Sequence, residues 1–133
     1  MSQPDPSAES PLHRIEVEAV AEFVPEQSSE DEERYVFAYH ITIRNAGTVA
    51  ARLISRHWVI TDGSGKVQEV HGQGVVGEQP LLAPGETFRY SSGCVLETAV
   101  GTMHGSYQME AADGERFNAP IPPFVLAMPR VLH

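Results

Sequence analysis

An antiparallel β-sandwich is the fold this sequence predicts, and three observations predict it. Apolar and polar residues alternate along residues 15–23 and 35–44, the period of a strand with one wet face. Turn signals built on Gly, Pro, Asn and Asp separate short apolar runs along the whole chain. No window carries apolar residues at i, i+3, i+4 and i+7 over three turns, so nothing argues for a long helix. About seven short strands with this punctuation suit an immunoglobulin-like or fibronectin type III-like sandwich, with a small closed barrel as the alternative.

The strands follow in order. Residues 1–11 hold three prolines and, Met1 apart, no large apolar residue, so a disordered tail is expected there, ahead of one domain over 12–128 and a loose tail at 129–133. In the first strand Ile15, Val17, Ala19, Ala21 and Phe23 share a face, and Pro25 ends it. An acidic loop, 26–34, follows. In the second strand Tyr35, Phe37, Tyr39, Ile41 and Ile43 share a parity and are aromatic or β-branched, which makes it the strongest strand in the chain. Asn45-Ala46-Gly47 reads as a turn. The third strand, 51–61, puts Ile54, Trp58 and Ile60 on one parity, but Arg52 and Arg56 share it, so the face is mixed or the strand is bulged. Trp58 resembles the buried tryptophan of the third strand in immunoglobulin-like domains. Asp62-Gly63-Ser64-Gly65 marks a hairpin into a fourth strand at 66–70.

Residues 71–80 break the alternation with three glycines. Pro84-Gly85 fits the centre of a type II turn. A fifth strand is expected at 87–91, an irregular stretch at 92–101, and a sixth strand at 105–111. Asp113-Gly114 is a tight hairpin turn into a seventh strand at 115–125. Pro120, Pro122 and Pro123 confine that strand to a sheet edge, because each lacks a ladder donor.

Composition excludes several functions. The 133 residues carry 9 basic and 18 acidic side chains, a formal charge of −9, which disfavours sequence-independent nucleic-acid binding. No apolar run approaches the ~20 residues that span a bilayer, and no basic-then-apolar leader opens the chain, so membrane insertion is not expected. A single cysteine, Cys94, allows no intrachain disulfide and suits a reducing cytoplasm. One domain with 41% apolar residues is enough for a core of its own.

Among motifs, Gly72-x-Gly74-x-x-Gly77 has the spacing of a dinucleotide-binding turn. That turn opens a helix, and Pro80 and Pro84 forbid one here. The glycines serve a sharp bend, or converge their N–H groups into an anion nest. Arg52 and Arg56 supply a local basic zone for an anionic ligand or an acidic peptide, with alternation sending both to one face and His57 to the other. As a structural residue, Arg56 would cap backbone carbonyls or acidic side chains. Six histidines show no zinc spacing, although His57, His71 and His104 could converge in space, so no metal or other cofactor is predicted. Glu30 to Glu33 lacks the spacing of a calcium loop. Cys94 has no neighbouring cation to activate it, and no nucleophile elbow is present, so no catalytic residue is assigned.

The stretches RHWVITD at 56–62, GKV at 65–67, VHGQGVVGEQPLLAPGETFRYSSG at 70–93, GTMHGSYQME at 101–110, and the closing DGERF and IPPFVL closely resemble the ApaG family, over roughly residues 12–127. The resemblance implies a fibronectin type III-like sandwich with no established enzymatic activity. It implies gene neighbourhood with a diadenosine tetraphosphate hydrolase and an association with cobalt resistance and magnesium efflux. In eukaryotic F-box and DNA-polymerase-interacting proteins the domain is thought to bind partner proteins. The family's glycine motif has been likened to a pyrophosphate-binding loop, here Gly72, Gly74 and Gly77.

The functional expectation is therefore a non-enzymatic interaction module, with edge strand 115–125 and loop 71–80 as docking surfaces. The alternatives are a phosphate-rich small molecule held by Gly72, Gly74, Gly77, Arg52 and Arg56, or a divalent cation such as Mg²⁺ or Co²⁺. An exposed edge strand could also pair across a homodimer axis.

Overall fold

The computed structural model describes residues 10–129 and shows two antiparallel sheets packed face to face. The expected tails thus lie largely outside the described residues. Eight strands run β1 (Ile15–Phe23), β2 (Tyr35–Asn45), β3 (Ala51–Asp62), β4 (Val67–Gln73), β5 (Leu81–Leu82), β6 (Thr87–Leu96), β7 (Val100–Ala111) and β8 (Arg116–Ala127). One sheet has the order β1-β2-β6. The other has the order β4-β3-β7-β8, with the two-residue β5 pairing the start of β3. The only helical turn among the described residues is a 3-10 turn at Pro25–Gln27.

The alternation read in β1 and β2 is realised residue by residue. Phe37, Tyr39, Ile41 and Ile43 are buried while His40 and Arg44 are exposed. They meet Leu53, Trp58, Met103, Tyr107, Met109, Phe117, Ile121 and Leu126 of the facing sheet in one core. Tyr39 and Phe124 both lie edge-on or tilted against Trp58, with centroids 5.4 and 5.9 Å away. The buried corner residue Asn45 donates from Nδ2 to the carbonyls of Val49 and Leu82 and accepts from the Gly47 N–H, so its polar atoms are satisfied.

Two turns form as their residues dictate. Gly85 has φ +84°, and Glu86 N–H donates to the Ala83 carbonyl, closing the expected Pro84-Gly85 turn. Gly114 at φ +87° does the same for the β7–β8 hairpin.

The stretch 92–101, expected to be irregular, is not. β6 continues to Leu96 and β7 starts at Val100. Gly93 and Gly101 hid the strands. Each faces a backbone carbonyl so closely that a Cβ would crowd it, against Phe37 O at 3.2 Å for Gly93 and Thr61 O at 2.6 Å for Gly101. β8 takes the edge position that its prolines demand, and Pro122 and Pro123 fall where its register with β7 shifts.

The two ends of the sheets differ. β1 packs beside β8 and closes one side of the sandwich. On the opposite side the edge strands β4 and β6 stand apart, and the core is reached through the gap between them.

Candidate functional site

The geometry of this gap starts with one extra residue. β3 pairs β7 with Leu53 opposite Met109 and Ser55 opposite Gln108, which leaves Ile54 bulged out of the ladder. Before the bulge Ala51 and Leu53 point inward. After it Arg56, Trp58 and Ile60 do. The expectation that Arg52 and Arg56 share a face is therefore corrected. Arg52 lies on the outer face and donates to the Gln79 carbonyl at 2.7 Å, whereas Arg56 is turned between the sheets.

Arg56 folds back over its cross-strand partner Gly72. Its Nη1 donates to the carbonyls of Gln73 at 3.1 Å and Gly74 at 2.8 Å. A Cβ on Gly72 would stand 2.7 Å from three guanidinium atoms, so this glycine makes room for an arginine. Among the described residues Nε and Nη2 of Arg56 have no protein acceptor. Gly74 has φ +61° and abuts the Glu78 carbonyl, where no side chain fits. Val75 and Glu78 then exchange both backbone hydrogen bonds around Val76 (φ +43°) and Gly77 (φ +81°), a two-residue turn of the type I′ kind.

No helix follows Gly77, as the prolines require. The N–H groups of Gly74, Val75 and Glu78 are already bonded within the protein. Of this hairpin, the amides of Val76 and Gly77 at the tip are the ones with no protein acceptor among the described residues. The hairpin hangs on the bulge itself, because the Ile54 carbonyl accepts from both the Gly74 N–H and Gln79 Nε2, each at 2.8 Å.

Two adjoining clefts open between β4 and β6. One, of about 400 Å³, is lined by Val70, Gln68, Cys94 and Met103. The other, of about 260 Å³, runs under the hairpin past Val75, Val76, Gly77 and Tyr90. Tyr39, Arg56, Trp58 and Ser92 line both. The indole N–H of Trp58, a residue only 2% exposed, is buried and has no hydrogen-bond partner among the described residues, a costly state.

Burial lifts the nearby titratable groups. The Tyr39 phenol is raised, chiefly by desolvation. Tyr90 is pushed up to about 12 for the same reason, and its hydroxyl lies 2.6 Å from that of Tyr107, which is raised further. The Arg56 charge opposes the rise at all three. Desolvation takes Cys94 to about 11, and its Sγ lies 3.8 Å from the Met103 sulfur.

The surfaces expected to dock partners fare unequally. Val75 is core, whereas Val76, 55% exposed, stands at the hairpin tip. β8 is an edge, but on the closed side beside β1.

Of the three histidines that could converge, His57 and His71 come together in a second cluster, while His104 sits on β7 opposite Val59 of β3. His57 and His71 are direct cross-strand partners, stacked with centroids 4.1 Å apart and planes 5° from parallel. Glu69 Oε1 lies 2.7 Å from His57 Nε2. The signal was available in hindsight, since the hairpin at 62–65 sets the register that pairs 57 with 71.

Fold and gap together define a class: a two-sheet antiparallel sandwich, closed along one side and cleft along the other, with an arginine bound to a glycine hairpin at its mouth. The ApaG domain matches residues 25–111. The chain is 79% identical over 126 residues to Protein ApaG of Azoarcus sp. strain BH72 and 74% identical to that of Aromatoleum aromaticum, in each case covering 95% of this chain and 99% of the relative. A crystal structure titled as an ApaA protein from Bordetella pertussis superposes with a TM-score of 0.87 at 53% identity, covering 90% of this chain and 98% of that one. The chain belongs to the ApaG family.

Proposed function

We propose that the protein is a binding module without chemistry of its own, and that it receives an extended segment of a partner protein in the cleft between β4 and β6. The observation that carries this reading is the open side itself. Two sheet edges flank a cleft lined by Trp58 and by Arg56, whose Nε and Nη2 have no acceptor among the described residues. Sheet edges offer backbone groups to an extended chain, and the cleft offers pockets for alternate side chains. On a chain of charge −9, Arg56 favours a segment that brings an acidic group to this point. The cleft's phenols Tyr39 and Tyr90 and its thiol Cys94 are all raised, so none of these supplies an anionic nucleophile near neutral pH.

The test is affinity capture from native cytosol with the wild-type protein and with Ser92→Arg, which fills the cleft from β6. The expected result is a partner retained by the former, lost by the latter, and able to shift the fluorescence of the single tryptophan, Trp58. Equal capture by both, or capture of nothing above background, would count against the reading.

A second reading has one observation in its favour. The Val76 and Gly77 amides and the free donors of Arg56 border the same cleft and suit a phosphate-rich small molecule. It predicts calorimetric heat with pyrophosphate or a dinucleoside polyphosphate that shrinks as salt rises. No heat at millimolar ligand removes it.

A further inference from the structure

We propose that the outer face of the β3–β4 ribbon carries a divalent transition-metal site made by His57, Glu69 and His71. The three side chains can bring one donor atom each to within 4.8 Å of the others. Donors in a tetrahedral zinc site at ~2.0–2.1 Å from the metal lie ~3.4 Å apart, so side-chain rotation alone closes the set.

The backbone already does the harder part. His57 pairs directly with His71, and Glu69 sits opposite Val59, two residues along the same outward face of β4. The strand period therefore holds all three on one side of a ladder whose register is fixed by the hairpin at 62–65. The His57–Glu69 contact explains two of the residues but leaves His71 out. His71 instead lies ring to ring on His57, and a modest side-chain rotation that opens this stack turns both in-plane lone pairs toward one ion.

The donor set selects the ion. Two imidazoles and one carboxylate suit Zn²⁺ and its Irving–Williams neighbours, with water completing the shell, and do not suit Mg²⁺, which takes oxygen ligands. His71 and Glu69 are exposed and His57 is half-buried, so an ion enters from solvent, drawn by the net negative charge. The site lies on the opposite face of β4 from the cleft, because Gln68, Val70 and Gly72 alternate with Glu69 and His71.

The experiment is a Zn²⁺ titration of the untagged full chain, followed by calorimetry and by amide NMR. The expected result is one ion per chain, with shifts centred on residues 57, 69 and 71 and no response to Mg²⁺. His71→Ala and Glu69→Gln, both at exposed positions, should each weaken Zn²⁺ binding at least about tenfold, the scale of losing a metal-site residue. His104→Ala, on the same sheet face, should leave it unchanged. Binding by His71→Ala and Glu69→Gln as tight as by the parent, or no binding at millimolar Zn²⁺, would overturn the assignment.

Discussion

Gly72 and Arg56 form a unit in which each residue explains the other. The guanidinium lies where a side chain on Gly72 would be, and its hydrogen bonds to Gln73 and Gly74 hold the start of the hairpin. Gly72→Ala is expected to push the flexible guanidinium off the carbonyls of Gln73 and Gly74, lowering stability by about 1 kcal/mol, the net worth of a hydrogen bond, read as a slightly lower urea midpoint at unchanged slope. At the same scale, Cys94 is half-buried and raised to about 11 by desolvation. It should react with a disulfide reagent at pH 8 at least about tenfold more slowly in the native protein than in urea, because only the thiolate attacks.

Legibility at this scale is uneven, for a physical reason. The turn residues Gly85 and Gly114 announce themselves because positive φ selects glycine. The mixed parity of β3 admitted a bulge, which the structure places at Ile54, but it did not say that Arg56 would turn inward. A bulge carries no residue signature of its own, and it reverses the parity from which faces are read. The capping of backbone carbonyls by Arg56, in contrast, was foreseeable from an arginine placed beside a glycine-rich bend.

The glycine hairpin is strained at the level of the element. A type I′ turn needs φ > 0 at both central positions, which suits Asn-Gly, yet the first is Val76, a β-branched residue held at φ +43° with its side chain in solvent. Val76→Asn is expected to raise stability by about 1 kcal/mol, the cost of forcing a left-handed backbone on an L residue, seen as a higher melting temperature. Under the proposed function the same substitution should weaken partner capture, because it removes an apolar side chain from the cleft rim. A rise in stability with full capture would mean that the strain serves no docking role.

The strands themselves were readable wherever one face is core and the other wet, as in β1 and β2. They were not readable across 92–101. There Gly93 and Gly101 allow close backbone approach at the cost of the alternating pattern.

The whole molecule has an alkaline limit written into its core. Tyr90 and Tyr107 share a hydrogen bond between the sheets, and burial raises both phenols, Tyr90 to about 12. In the unfolded chain they titrate near 10. Between those values the unfolded state has lost protons that the folded state retains, so the contribution is fully present below pH 10 and declines as pH rises toward 12. Urea midpoints should fall across that window, and Tyr90→Phe should fall less steeply. A flat profile to pH 12 would show that the phenols are not held in their neutral form.

The fold class of the molecule was open to prediction because it follows from periodicity and turn chemistry. Its open side was not, because which edges close depends on pairings far apart in the chain, β1 beside β8 and β4 left facing β6.

Ile54 separates rim from frame. The ladder between β3 and β7 runs on without it, Leu53 to Met109 and then Ser55 to Gln108, so excising this residue would leave an unbroken register and the same inward faces. What excision removes is the carbonyl on which Gly74 and Gln79 hang. A chain shortened by that residue should keep its sheets and loosen its hairpin, still tied to β3 through Arg52 and Arg56, so the rim of the cleft can diverge while the scaffold beneath it stays fixed.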